Sequence, residues 1–373
     1  MAGVYIHIPF CKTKCFYCDF YSVANHSQID LTIDAICREI QLRRDFLLTP
    51  PKTLYVGGGT PSLCTPLQLK RLVEQVQSQF QCKYFDEFTV EANPEQLNVE
   101  YLKLLKDIGV NRLSIGIQSL SDRILRFINR KHSANQALQS VRLAQQSGFK
   151  NISVDVIYAI PGLSLSELDD TLQKICDLNV QHVSAYHLGI ESGTVFGRRL
   201  SEGTLREVSE SESNEHYNLV CSRLKEVGFE HYEISNFAQS GCRSQHNSSY
   251  WNGTPYLGVG PSAHSYDGRN RFWNVANISK YLSTVDSLEH IEGEILSEKD
   301  IYNEYLMTRL RTSEGVDIEE FKCKFGPALF ARLSSDLQPS IKIGNIIVVD
   351  RWLRIPEEKF LISDAIISEL FLG

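Results

Sequence analysis

Tyr5-Ile-His-Ile-Pro-Phe-Cys-Lys-Thr-Lys-Cys-Phe-Tyr-Cys-Asp-Phe20 is the stretch around which the 373-residue chain is organised. Val4, Ile6 and Ile8 recur at every second position, the period of a strand, so Cys11, Cys15 and Cys18 fall on the loop leaving its C-terminal end. Three thiolates in one tight loop can hold three irons of a [4Fe–4S] cluster and leave the fourth open to a ligand that is not protein. A tetrahedral zinc site needs four ligands. The nearest candidates for the fourth are His7 and His26, and neither makes a familiar zinc spacing. Cysteine is also a common buried small hydrophobe. Lys12, Thr13, Lys14 and Asp19 among these thiols argue instead for an exposed loop.

Outward from this loop the chain alternates. Ile29, Ile33, Ile36 and Ile40 repeat at helical spacing, which predicts a helix over about 28–48, and Thr53-Leu-Tyr-Val-Gly57 reads as a strand. Thr65-Pro66 supplies an N-cap and a proline at the first helical position, with Leu69, Leu72, Val73, Val76 and Phe80 as the buried face. Strands at 87–92, 112–117, 152–158 and 182–188 then alternate with helices at 98–108, 121–147 and 166–178. About six strands alternating with helices require a parallel sheet with right-handed crossovers, but periodicity alone does not separate an open sheet from a partial barrel. Residues 201–216 are rich in Glu and Ser and read as a solvated linker, and 236–275, rich in Gly, Asn and aromatics, read as long ordered loops. From 299 the order is three helices, a hairpin within Ile341–Pro356 and a final helix.

Composition bounds the class. Lys+Arg 38 against Asp+Glu 45 leaves a net charge of −7, which argues against non-specific nucleic-acid binding. No apolar run approaches the roughly 18 residues of a membrane span, and no basic, apolar signal segment precedes Val4. The seven cysteines outside the triplet are scattered, as in a protein of the reducing cytoplasm.

Cys-x3-Cys-x2-Cys after a first strand, with Tyr17 before the last cysteine, resembles the radical S-adenosylmethionine superfamily. Tyr-Ile-His-Ile-Pro-Phe-Cys is similar to the family of oxygen-independent coproporphyrinogen III oxidase. The oxidases carry another cysteine two residues after the third, where this chain has Phe20, a departure that resembles the haem-chaperone branch. The resemblance implies an α/β fold: a (β/α)6 partial TIM-like barrel over 1–200, a connecting segment over 201–298, and a smaller α+β, winged-helix-like domain over 299–373. Cys11, Cys15 and Cys18 would hold the [4Fe–4S] cluster, and Tyr5, Tyr17, Gly58, Gly59, Thr60, Glu91, Gln118, Arg130 and Asp155 would bind S-adenosylmethionine. Reductive cleavage of that cofactor to a 5′-deoxyadenosyl radical would follow.

Gln245-His-Asn-Ser-Ser-Tyr-Trp-Asn-Gly253 resembles the His-Asn-x-x-Tyr-Trp motif of the haem chaperones, which implies haem as a cofactor and His246 as its ligand, with Cys242 and His264 as fallbacks. Taken without the resemblance, His246 and Asn247 would bond loop backbone while Tyr250 and Trp251 plug the barrel mouth. The implied partners are haem, haem-accepting apoproteins and an electron donor, with no nucleic acid and no transmembrane segment. Two rival functions remain: oxidative decarboxylation of coproporphyrinogen III, against which Phe20 counts, and a zinc-stabilised module whose winged helix binds nucleic acid.

Overall fold

A computed structural model describes residues 2–373. Six strands, β1 (Gly3–Ile8), β2 (Thr53–Gly58), β3 (Glu87–Ala92), β4 (Arg112–Gln118), β5 (Ile152–Tyr158) and β6 (His182–His187), lie side by side in sequence order and all run parallel. Helices α1 (Ile29–Leu42), α2 (Pro66–Phe80), α3 (Val99–Asp107), α4 (Asp122–Phe127), α5 (Ala134–Gln146) and α6 (Leu165–Asp177) make the crossovers. One face of each strand is apolar and buried: Val4, Ile6, Leu54, Val56, Phe88, Val90, Leu113, Ile115, Val154 and Val183. The alternate residues are polar: Thr53 and Tyr55, Glu87, Thr89 and Glu91, Arg112 and Ser114, Asp155, His182 and Ser184. Period-2 alternation thus gives a partial barrel with a hydrophobic outside and a polar interior.

Two expectations are corrected here. The helical stretch 121–147 is two helices. The chain breaks at Asn129 (φ 64), and α5 restarts with a capping box in which Ser133 and Gln136 satisfy each other's backbone. Residues 236–275 are not loops. After α7 (Val195–Ser201), α8 (Glu210–Glu226) and β7 (Glu230–Glu233), the chain forms β8 (Asn236–Ala238), α9 (Gln245–Trp251), β9 (Tyr256–Val259), β10 (His264–Tyr266) and β11 (Asn270–Asn274). Then come α10 (Ile278–Thr284) and β12 (Ile291–Ile295). β9 pairs parallel with β1, and β10, β11 and β12 follow antiparallel, so the sheet grows to twelve strands in the order β12-β11-β10-β9-β1-β2-β3-β4-β5-β6-β8-β7.

The C-terminal part holds α11 (Glu298–Leu310), β13 (Val316–Asp317), α12 (Ile318–Lys342), β14 (Ile347–Val349), β15 (Trp352–Arg354) and α13 (Ser363–Ser368). α12 is interrupted at Gly326 (φ 78), just before Pro327, and behaves as two helices. With the small antiparallel sheet β13-β15-β14 this gives the winged-helix-like order.

Candidate functional site

The cysteine loop is pinned to the C-terminal ends of the barrel strands. Cys11 N–H donates to the Val23 carbonyl (3.1 Å) and Val23 N–H to that of Pro9 (2.8 Å), while Phe16 N–H donates to Ile128 and Phe196 N–H to Phe16. Asn129, whose positive φ ends α4, donates from Nδ2 to the Lys14 carbonyl at 2.9 Å. The loop's backbone is thus fixed while Lys12 and Lys14 face solvent.

Among the described residues no group of three His, Cys, Asp or Glu already converges on one point. Donors reach two of the sulfurs: Thr60 Oγ1 lies 3.5 Å from Cys11 Sγ, and Arg130 Nη1 lies 3.6 Å from Cys15 Sγ. Burial pushes the Cys18 thiol up to about 11, so a thiolate there needs a cationic partner such as iron.

Beneath the loop is a cavity of about 350 Å³. Eight of the nine residues assigned to S-adenosylmethionine line it: Tyr17, Gly58, Gly59, Thr60, Glu91, Gln118, Arg130 and Asp155. Tyr5 does not. It lies deeper in the barrel interior, its hydroxyl 3.1 Å from His7 Nδ1 and its ring 6.0 Å from that of Tyr55. Register explains this depth. Tyr5 pairs with Tyr55, three residues short of Gly58, the first residue of β2 to line the cavity.

Each glycine of Gly57-Gly58-Gly59 is demanded by the fold itself. A Cβ on Gly57 would lie 2.9 Å from Glu91 Oε1, one on Gly58 (φ 105) 2.6 Å from the His7 ring, and one on Gly59 2.6 Å from the Phe10 carbonyl. Gly58 N–H already donates to Glu91 Oε2 and Gly59 N–H to the Ile8 carbonyl. What this backbone still offers an amino group is carbonyl oxygen.

Arg130 closes one wall, donating from Nη2 to Asn93 Oδ1 (2.7 Å) and to the Gly116 carbonyl. Burial opposes its charge, but Tyr17 and Cys15 beside it more than compensate and hold its pKa up. Gln118, at φ 60 beside a β-bulge, keeps Oε1 buried without a partner, an acceptor left over for a ligand. Burial raises the Glu91 carboxyl to about 7, against the hydrogen bond from Tyr55 (2.7 Å), and nearby Asp155 raises it further. Burial likewise raises Asp155. Asn93, Ser114, Tyr186 and His187 also line the cavity and were not singled out from sequence. Asn93 lies two residues beyond Glu91, just past the end of β3, and that spacing was the available signal.

His246 is placed elsewhere. It sits on α9, is fully buried, and enters the barrel from the N-terminal ends of the strands, at the level of Gly3 and Thr53. Nδ1 lies 2.8 Å from Thr53 Oγ1 and Nε2 lies 2.8 Å from the Tyr250 hydroxyl. α9 itself is held by Glu87, which accepts from Gln245 N–H (2.8 Å) and His246 N–H (2.9 Å). Both ring nitrogens of His246 are thus engaged in closing the barrel floor. Cys242, one fallback, lies partly buried between β8 and α9. His264, the other, is exposed on β10.

Parallel βα crossovers, a cysteine triplet on the first strand-end loop and a polar cavity beneath it define a radical S-adenosylmethionine fold. The model described as the Radical SAM superfamily matches residues 5–175, and that described as the HemN C-terminal domain matches 296–359. The solved structure of coproporphyrinogen III oxidase (HemN) from Escherichia coli superposes with a TM-score of 0.86 over 99% of this chain and 90% of that one, at 22% identity, a likeness of fold. Curated relatives are closer in sequence. The protein named heme chaperone HemW of Lactococcus lactis is 38% identical over 87% of this chain and 85% of its own length. That of Bacillus subtilis is 34% identical over 93% of both. The chain belongs to the HemW family of radical SAM proteins.

Proposed function

We propose that the chain is a haem chaperone that holds a [4Fe–4S] cluster and S-adenosylmethionine and passes haem to acceptor apoproteins. The observation carrying this reading is that relatives at 34–38% identity, matched along most of their length, bear that name. Phe20 points the same way, since a phenylalanine stands at the cavity's edge where the oxidases carry a further cysteine.

Cys11, Cys15 and Cys18 would hold the cluster, which when bound and reduced would supply the electron for reductive cleavage of S-adenosylmethionine. Arg130 presents its guanidinium to the methionyl carboxylate and steadies the Cys15 sulfur from the same side chain. Gly58 and Gly59 give carbonyl oxygens to the amino group, and Glu91, Asp155 and Gln118 Oε1 accept from the ribose hydroxyls. Tyr17 and the cysteine loop cover the site and exclude water. Lys12 and Lys14, exposed beside the thiols, suit an acidic one-electron donor. We place the protein in the reducing cytoplasm: all ten cysteines are free thiols, and no helix among the described residues is long and apolar enough to cross a membrane.

The test is anaerobic reconstitution with iron and sulfide, followed by haem titration and transfer to an apo-haemoprotein. Uptake of a cluster and of stoichiometric haem is expected. A cluster without haem binding, together with anaerobic turnover of coproporphyrinogen III, would replace the chaperone with the oxidase.

A further inference from the structure

Four polar contacts join Cys11 to Cys15 through the wall of the cofactor cavity. Thr60 Oγ1 donates to Cys11 Sγ (3.5 Å), and Asn93 Nδ2 donates to Thr60 Oγ1 (3.3 Å). Arg130 Nη2 donates to Asn93 Oδ1 (2.7 Å), and Arg130 Nη1 donates to Cys15 Sγ (3.6 Å). The arch spans the loops after β2 and β3 and the segment after α4, and Asn93 stands at its centre, on the cavity wall.

Direction along this arch is forced. A guanidinium has only hydrogens to give, so the Asn93 oxygen must face Arg130 and its amide nitrogen must face Thr60. The Thr60 hydroxyl owns one hydrogen. Because that hydroxyl accepts from Asn93, its hydrogen is left for Cys11 Sγ. An amide gives and takes at once. A carboxylate at this position would keep the Arg130 bond but accept from Thr60, turning the hydroxyl hydrogen away from the sulfur.

The fold prepares the position. Pro94 confines Asn93 to extended backbone (φ −88, ψ 143), and Asn93 N–H donates to Ser62 Oγ (3.3 Å). Gly116 leaves room for the central contact: a Cβ there would lie 3.1 Å from Arg130 Nη2 and 3.7 Å from Asn93 Oδ1. A second rung lies two residues further along both segments. Glu95 Oε2 faces His132 Nδ1 at 3.5 Å, and His132 Nε2 lies 3.1 Å from the Ile117 carbonyl. This rung ties the segments together independently of the Asn93 side chain.

Resting on the reading of Cys11, Cys15 and Cys18 as cluster ligands, we propose that Asn93 is a positioning residue that aims donors at two of the three cluster thiolates and thereby sets the cluster's reduction potential. It acts on Cys11 through the Thr60 hydroxyl and on Cys15 through the Arg130 guanidinium. Reduction adds one electron, hence one negative charge, and neither makes nor breaks a bond to these residues. Hydrogens facing the thiolates favour the more negative, reduced form and raise the potential.

The test uses the full chain, reconstituted anaerobically with iron and sulfide and titrated potentiometrically, with the reduced cluster read by electron paramagnetic resonance. Wild type, Asn93→Asp, Thr60→Val and the double variant are compared at equal cluster content, which a merely structural role would alter before it altered the midpoint. Each single variant is expected to move the midpoint to more negative potential, so that the reduced-to-oxidised ratio at the wild-type midpoint falls several-fold. Asn93→Asp should lose most of its effect in the Thr60→Val background, because the hydroxyl it turns is already gone. A wild-type midpoint in either single variant overturns the arch, so the test stands if only one of them holds its cluster. Equal shifts by Asn93→Asp with and without the Thr60 hydroxyl would show that added charge alone acts, which also overturns the arch while the cluster reading survives. If wild type takes up no cluster, the cluster reading itself falls, and this proposal with it.

Discussion

His246 Nδ1 and Thr53 Oγ1 lie 2.8 Å apart at the end of the barrel opposite the cysteine loop, with the imidazole stacked on Tyr55 at 5.2 Å. Tyr55 in turn donates to Glu91 in the cofactor cavity, so the barrel floor and the cofactor site share one column of side chains. Burial lowers the His246 pKa to about 3, which keeps the ring neutral and the column free of an extra charge. Thr53→Val removes the partner of a buried nitrogen and is expected to cost about 1–3 kcal/mol. Urea denaturation followed by circular dichroism measures it. An unchanged midpoint would mean that the pair contributes nothing.

Glu87 holds the same floor by charge. It caps the N-terminus of α9 and faces Arg112, whose Nε is 4.0 Å away and whose side chain is 1% exposed. Glu87→Ala leaves that guanidinium buried and uncompensated, an expected loss of about 3–5 kcal/mol. Because α9 carries His246 and Tyr250, the variant should also weaken haem binding without altering cluster absorbance. A variant with wild-type stability would show that water replaces the carboxylate at no cost.

Much of this was legible in the chain. Each βα unit announces itself by a switch from period 2 to period 3.6, and the cysteine triplet and glycine run fall at strand ends because those ends are where loops begin. Depth within the barrel was not legible. Tyr5 and Glu91 both sit on inward-facing strand positions, and only the register of β1 against β2 shows that one lies below the cavity and the other lines it. The extension β9–β12 was hidden because its strands are three to five residues long and Gly258 and Asn274 look like turn residues. Their role is to allow a close strand crossing and to bond a buried carboxylate. The break between α4 and α5 carries neither glycine nor proline; its one readable sign was the Ser133-x-x-Gln136 capping box.

Arg130→Lys is expected to be damaging despite conserving charge. The guanidinium reaches Asn93, the Gly116 carbonyl and Cys15 Sγ at once, and a single ammonium cannot reproduce that fork. S-adenosylmethionine affinity, measured by calorimetry on the reconstituted protein, should fall by roughly tenfold or more. The cluster's electron paramagnetic resonance spectrum should shift with it, since Cys15 loses a donor. Wild-type affinity would remove Arg130 from the cofactor site.

Glu91 gives the cofactor site a pH dependence of known sign. Its folded pKa is raised to about 7, so its contribution to stability is complete below the ordinary carboxyl range and is lost as pH rises through about 7. A cationic ligand drives the proton off, so S-adenosylmethionine should bind more tightly as pH rises from 6 to 8, by at most about tenfold per unit. The ligand's own amino group titrates equally with wild type and with Glu91→Gln, so the difference between their profiles isolates Glu91. Identical profiles would show that this carboxyl is already ionised at pH 6.

Glu39 has the opposite sign and acts on the sheet extension β9–β12. It is fully buried on α1 and accepts from Arg43 (3.0 Å), Gly260 N–H (2.9 Å), Asn274 Nδ2 (2.9 Å) and the Tyr281 hydroxyl (2.7 Å), with His290 Nε2 at 3.7 Å. Burial alone would raise its pKa, but His290, Arg43 and the other donors outweigh burial and lower it. A depressed carboxyl contributes stability above its unfolded pKa that disappears as pH falls through the folded one. The wild-type urea midpoint should therefore drop steeply below the ordinary carboxyl range. Glu39→Gln should start lower, by about 3–5 kcal/mol, because Arg43 keeps its charge in a buried site. Its acid slope should also be shallower. Since Gly260 and Asn274 flank β9 to β11, hydrogen exchange in the variant should quicken there before it quickens in β2 to β5. Equal acid slopes for the two proteins would show that Glu39 is not the group whose protonation unlocks the fold.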